Sequence, residues 1–229
     1  AAIRADLMGK DVDPKGKPIP REDRLDLARK FVKSGCVSVG YSLESGSDKI
    51  LESMNKRVQS KYFKEQVHIC REAGLTTDTS VIIGYPEETK ETIAETYSKI
   101  HELKVYPSTG YLIPLPETGM WKHALENGYI GNNKGNNKDI KNIDDYLTQI
   151  TERQDFSLNL TKMTDEELKN ETLQWLSKLN KDFGINLDES KLIKTGGEDE
   201  HGKNQSKDRV IPEDIVERNK TTDDSLNYA

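Results

Sequence analysis

The sequence predicts an α/β fold: a partial (β/α) barrel of parallel strands, followed by a helix and a disordered tail. Three observations carry this expectation. Short apolar runs alternate with helix-period segments about four times before Ile130. Each strand-like run stops at Gly, Pro or Ser and passes at once toward a helix, as in parallel strands joined by right-handed crossovers. The apolar clusters thin after Ile130 and are almost absent after Thr195. The chain therefore divides into an α/β core over 1–130, a loop and docking helix over 131–194, and an acidic, polar tail over 195–229 too poor in apolar residues to bury a core.

The elements follow in order. "AAIRADLM" reads as a strand and "GKDVDPKGKPIP" as a Gly/Pro loop. "REDRLDLARKFVKSG" reads as a helix with Leu25, Ala28 and Val32 on one face and Gly35 as its stop. Val37–Leu43 is the second strand. A helical pair over 48–54 and 60–73 comes next, with Phe63, Val67 and Cys70 forming one stripe and Gly74 closing it. Thr76–Ile83 is the third strand, ended by Gly84-Tyr85-Pro86, and a helix over 90–103 turns Ile93, Tyr97 and Ile100 inward. A fourth strand is placed over 109–113, stopped by Pro114 and Pro116, with a short helix over 119–127. "GNNKGNNKD" has no periodicity. Thr164 and Glu167 then form a capping box, ahead of a helix whose stripe is Leu168, Thr172, Trp175, Leu176, Leu179 and Phe183, ended by Gly184.

Composition narrows the function classes. The 229 residues are 33% hydrophobic and 32% charged, with a net charge of −6. That balance argues against broad non-specific binding to nucleic acid, although an RNA substrate met by a local basic patch stays open. No apolar run reaches the length of a membrane span, and no signal-peptide pattern opens the sequence, so a cytoplasmic protein is expected. Cys36 and Cys70 lack metal-ligand spacing and read as free thiols in a reducing compartment. His68, His101, His123 and His201 are scattered, and no metal site is expected.

The strand ends carry the chemistry. In parallel α/β folds ligands bind at the carboxyl ends of the strands. Here those ends read Glu44-Ser45-Gly46-Ser47, then "SVIIGYPEET", then "YLIPLPETG". An acidic group, hydroxyls and free amides suit a ligand combining an amino group, ribose hydroxyls and a flat base. Each motif also has a plain structural use: Ser45 or Ser47 as a helix N-cap, and "GYPEET" as a strand-to-helix turn. Glu87-Glu88 reads as a solvated, helix-capping pair and not as a catalytic dyad.

Taken together, "SGCVSVGYSLESGSDKILESMNK", "AGLTTDTSVIIGYPEETKETIAET" and "YLIPLPETGMWKHALENGYI" resemble the later half of a radical SAM core. The flavour is that of cobalamin-dependent and methylthiotransferase-like members. The resemblance covers roughly residues 1–130 and implies the third to sixth strands of a six-stranded partial barrel. It implies S-adenosylmethionine (SAM) as cofactor, a 4Fe-4S cluster, and, in the cobalamin-dependent branch, cobalamin bound outside this chain. Position by position, it places Glu44 against SAM and Lys56 of "MNK" against the SAM carboxylate. The GxIxGxxE pattern falls on Ser80, Ile82, Gly84 and Glu87, with Ser80 in place of the first glycine, near the ribose. Leu112 to Pro114 would line the adenine, and Arg4 would reach SAM or the substrate. The implied chemistry is reductive cleavage of SAM to a 5′-deoxyadenosyl radical acting on a substrate that the sequence does not specify.

One departure matters. The family's CxxxCxxC cluster loop is absent, and Cys36 and Cys70 cannot replace it. The expectation is a carboxyl-terminal part of a radical SAM enzyme, inactive alone, whose cluster loop lies in a missing N-terminal part. Two alternatives stand beside it: a non-catalytic α/β binding or scaffold protein, and an unrelated half-barrel for a phosphorylated sugar, against which the lack of a Gly-rich phosphate loop counts. A barrel core left uncovered on one side is expected to make the isolated chain marginally stable and prone to association.

Overall fold

A computed structural model describes residues 1–130, 142–152 and 158–185; the tail expected over 195–229 lies outside the described residues. Strands β1 (Ala2–Ile3), β2 (Ser38–Glu44), β3 (Thr76–Ile83) and β4 (Tyr106–Tyr111) pair in parallel in the order β1-β2-β3-β4. The connections are α1 (Arg21–Lys33), then α2 (Asp48–Ser53) with α3 (Ser60–Glu72), then α4 (Lys90–Leu103). Each crossover steps to the next strand in the same direction. Right-handed connections that never reverse lay their helices on one face of the sheet, which is the arc of a barrel and not a doubly wound sheet.

Side-chain alternation confirms which face is covered. Val39, Tyr41 and Leu43 of β2 are buried with Leu25 and Ala28 of α1 and with Phe63, Val67 and Cys70 of α3. Val81 and Ile83 of β3 are buried with Ile93, Tyr97 and Ile100 of α4. The other parity faces the open side: Gly40 and Ser42 on β2, Asp78 and Ser80 on β3, Ser108 and Gly110 on β4. The uncovered face thus carries small and polar residues with Ile82 and Tyr106 among them, and is not the bare apolar core the sequence suggested.

α7 (Asp165–Asp182) supplies the docking helix. Its Thr164–Glu167 capping box forms as expected, and Leu168, Leu176 and Leu179 pack on the α4 side of β3. α5 (Gly119–Glu126) and α6 (Ile143–Glu152) make a third cluster around Trp121, Ala124 and Tyr146, tied to the end of β4 by a hydrogen bond from the Tyr146 hydroxyl to the Pro114 carbonyl at 2.7 Å.

Several boundaries differ from expectation. β1 is two residues long, because Gln66 of α3 takes the Met8 amide (2.6 Å) and donates to the Arg4 carbonyl (2.7 Å), folding the chain into turns. Arg4 therefore lies just past the strand. β4 begins at Tyr106 and ends before Leu112; as an edge strand it accommodates Pro107, whose missing N–H loses no ladder bond. Val32 and Val37 are exposed and not part of the core. α6 falls in a stretch with no expected helix.

Candidate functional site at the carboxyl edge of the sheet

β2 ends irregularly. The pairing with β3 slips between Ser42 and Glu44, and Glu44 takes the left-handed conformation, φ 67°. A bulge of this kind re-aims the side chain at a strand end. The Glu44 carboxylate, 12% exposed, accepts a hydrogen bond from the Lys56 ammonium at 2.7 Å; the Lys56 side chain is 36% exposed. Twelve residues separate them in sequence, and the geometry of α2 closes the gap.

That geometry is written in "MNK". The Lys56 amide donates to the Leu51 carbonyl (3.0 Å) and the Asn55 amide to the Glu52 carbonyl (2.8 Å). These two bonds form a Schellman motif, which requires a left-handed residue after the cap; Asn55, φ 53°, is the residue type other than glycine best suited to it. Arg57 follows at φ 51°. Three of the five described non-glycine residues with positive φ (Glu44, Asn55 and Arg57) therefore surround one ion pair. Asn55 is accounted for by the helix stop, which leaves Glu44 and Arg57 as the strained positions beside the pair.

The SGS segment serves packing. The Gly46 amide donates to Thr96 Oγ1 of α4 (2.9 Å), and Ser45 Oγ bonds the same oxygen (3.1 Å). A Cβ on Gly46 would stand 2.7 Å from the Thr96 Cα, so only glycine lets β2 and α4 approach this closely. Ser47 is the N-cap residue of α2 but makes no capping side-chain bond.

The β3 end is held in turn. Gly84 has φ 104°, and its nearest neighbours at the Cβ position are Leu168 and Leu112, at 3.8 and 3.9 Å. Its amide donates to Glu88 Oε2 at 2.6 Å. Burial pushes the Glu88 carboxyl up to about 7, against the pull of the Gly84 and Tyr85 amides. Glu88 is 2% exposed, so the solvated reading of Glu87-Glu88 holds only for Glu87. Tyr85 donates its hydroxyl to the Ser53 carbonyl (2.9 Å), joining the β3 turn to the end of α2.

The sequence-selected residues thus fall into two groups. Glu44 and Lys56 touch. Gly84 and Leu112 meet at the ends of β3 and β4, where the Leu112 amide donates to the Ile83 carbonyl (2.7 Å). Ser80 lies lower, exposed on the open face in register with Ser42 and Ser108. Arg4, 63% exposed, pairs with Asp6 at 3.0 Å. Glu88, Tyr85 and Asn55 were not selected. A carboxylate directly before the α4 cap, four residues after a glycine, was the signal available for Glu88.

The fit to the implied groups is uneven. A carboxylate and an ammonium side by side complement the ammonium and carboxylate of a methionyl group. The cysteines do not fit an iron–sulfur cluster: Cys36 donates to the Ser38 carbonyl and Cys70 is buried against Met8. Among the described residues no group of His, Cys, Asp or Glu is arranged to hold a metal ion.

Residues 17–100 match the model of the radical SAM superfamily. An uncharacterized methyltransferase of Pyrococcus horikoshii is 30% identical over 45% of this chain and 23% of its own length. A tRNA-2-methylthio-N(6)-dimethylallyladenosine synthase of Thermosipho africanus is 29% identical over 47% of this chain and 26% of its own. The chain spans about a quarter of the length of these curated relatives. Coproporphyrinogen III oxidase of Escherichia coli, a radical SAM enzyme, aligns with a TM-score of 0.48 at 16% identity, over 80% of this chain and 32% of that one.

Proposed function

We propose that this chain is a radical SAM protein, the superfamily whose model matches residues 17–100, and that the carboxyl edge of its sheet grips S-adenosylmethionine. The observation that carries this reading is the Glu44–Lys56 pair at 2.7 Å, set on a bulged strand end and a Schellman turn. Glu44 accepts from the ligand ammonium. Lys56 turns from Glu44 to the ligand carboxylate, so one ion pair is exchanged for two and no buried charge is left alone. Gly84 turns the backbone at φ 104° where the ends of β3 and β4 meet, and the Leu112 backbone beside it is offered to a flat base. Ser80 offers a hydroxyl toward the ribose, and Arg4, released from Asp6, reaches the ligand from the β1 end.

SAM supplies one-electron chemistry at its sulfonium, and these residues hold it in place and shield it from water. The thiolates that a 4Fe-4S cluster needs are not among these 229 residues. We therefore place this chain as part of a longer enzyme whose cluster ligands, and any cobalamin domain, lie in other segments; alone it does not turn over. The substrate is left to those segments, an RNA being one class consistent with the name of the Thermosipho relative.

The test is calorimetric titration of SAM, and of S-adenosylhomocysteine, into the longer protein and its Glu44→Ala variant. A loss of affinity of about tenfold or more is expected, about 1.4 kcal/mol. Equal affinity would remove Glu44 from the site.

A further inference from the structure

Glu88 touches neither Glu44 nor Lys56 in any bond described above, yet the turn beside them hangs from it. One oxygen takes the Gly84 amide at 2.6 Å, and the other, Oε1, has no partner among the described residues. Among the described residues, the elements packed around it bring no cation to it. Tyr97 of α4 is buried and bonded to Thr109 of β4 at 3.0 Å. Tyr111 of β4 acts on Tyr97 in turn. Leu168 of α7 is apolar and lies against Gly84, and the Lys90–Glu167 pair is exposed at the surface. A carboxylate so placed is a ready proton acceptor, because burial without a countercharge disfavours its ionised form.

The turn it holds is connected onward. Gly84 leads into Tyr85, and Tyr85 bonds the carbonyl of Ser53, the last residue of α2. Met54, Asn55 and Lys56 follow within the Schellman motif, and Lys56 reaches Glu44. An ionised acceptor makes a hydrogen bond roughly twice as strong as a neutral one, so proton uptake loosens the clamp on the Gly84 amide. It also creates a buried O–H that needs an acceptor of its own.

We propose that Glu88 is a positioning residue for the rim: ionised, it fixes the Gly84 turn, Tyr85 fixes the end of α2, and Lys56 is held against Glu44; protonated, it lets the turn and Lys56 shift together. Its consequence for SAM rests on the reading above, while its test needs no ligand.

The test is backbone amide NMR of the ligand-free 229-residue chain, titrated from about pH 5.5 to about 8.5. The Gly84, Tyr85, Asn55 and Lys56 amides are expected to move with one shared midpoint. Glu88→Gln, which keeps the acceptor and the shape, should abolish the movement at all four while the rest of the spectrum stays. Tyr85→Phe should leave Gly84 titrating and silence Asn55 and Lys56. A Gly84 amide that stays flat, a midpoint that survives in Glu88→Gln, or an Asn55 and Lys56 response that survives in Tyr85→Phe each overturns the proposal. Because no SAM is present, such a result leaves the cofactor reading standing; absence of SAM binding, measured separately, would sink that reading alone.

Discussion

Glu44 combines features that seldom coincide in one residue. It ends a strand, it holds a left-handed backbone that costs a non-glycine residue about 1 kcal/mol, and its carboxylate is mostly buried against a single ammonium. Stability and the proposed grip on the ligand therefore separate at this position. Glu44→Gly relieves the backbone and gives up an ion pair whose ammonium is one-third exposed, and such pairs contribute about 1 kcal/mol or less. The expected outcome is a thermal midpoint within about 4 °C of the parent, with SAM affinity reduced by about tenfold or more. Melting curves and calorimetry on one preparation check both halves. Lys56→Met acts differently, because it leaves a buried carboxylate without its partner. A loss of about 1–2 kcal/mol is expected in urea unfolding, and no loss would mean that water already satisfies Glu44.

At the scale of elements, two devices set the rim, and each can be broken alone. Asn55 provides the left-handed residue that stops α2 and turns Lys56 back. Asn55→Gly should be tolerated, whereas Asn55→Val, β-branched in a left-handed position, should cost about 1–2 kcal/mol and weaken SAM binding with it. Gly46→Ala should cost about 1–3 kcal/mol in chemical denaturation, since the new methyl meets the α4 backbone and not a movable side chain. The sequence made β2, β3 and α4 legible because their apolar residues alternate or recur against a single covered face. β1 was read too long because its stop is imposed from sixty residues away, by Gln66, a contact that no local pattern announces. β4 was read too late because Pro107 looks like a breaker and is harmless only at an edge. Glu44 was legible as a strand-end residue, and Lys56 was selected only through the resemblance carried by "MNK". Their contact depends on the turn at Asn55, and Glu88 was misread because "EE" after a proline looks solvated until the fold covers one of the two.

Across the whole molecule, two kinds of carboxylate pull pH-dependent stability in opposite directions. The Arg21 guanidinium holds Glu72 below its ordinary value, Lys64 does the same for Glu102, and Lys178 with His101 does it for Asp182. These exposed groups favour the folded chain above the ordinary carboxylate range, and that favour is lost as pH falls through it. Glu88 runs the other way. Its folded value is raised from 4.5 to about 7, so the folded state binds a proton more tightly than the unfolded chain. This contribution is complete below 4.5 and declines as pH rises through about 7, above which both states are ionised. At about 1.4 kcal/mol per unit the decline is ~3 kcal/mol, larger than solvent-screened surface pairs offset. The melting temperature should therefore peak on the acid side, between about pH 4.5 and about 6, and fall toward about pH 8. Glu88→Gln should flatten that fall and make the chain more stable than the parent at about pH 8, because an amide keeps the Gly84 bond without burying a charge. A carboxylate that weakens the fold at neutral pH, where a glutamine would strengthen it, is what a group retained for the rim's geometry looks like. A parent melting temperature that rises steadily from about pH 5 to about 8 would assign the buried carboxyl an ordinary titration and remove that tension.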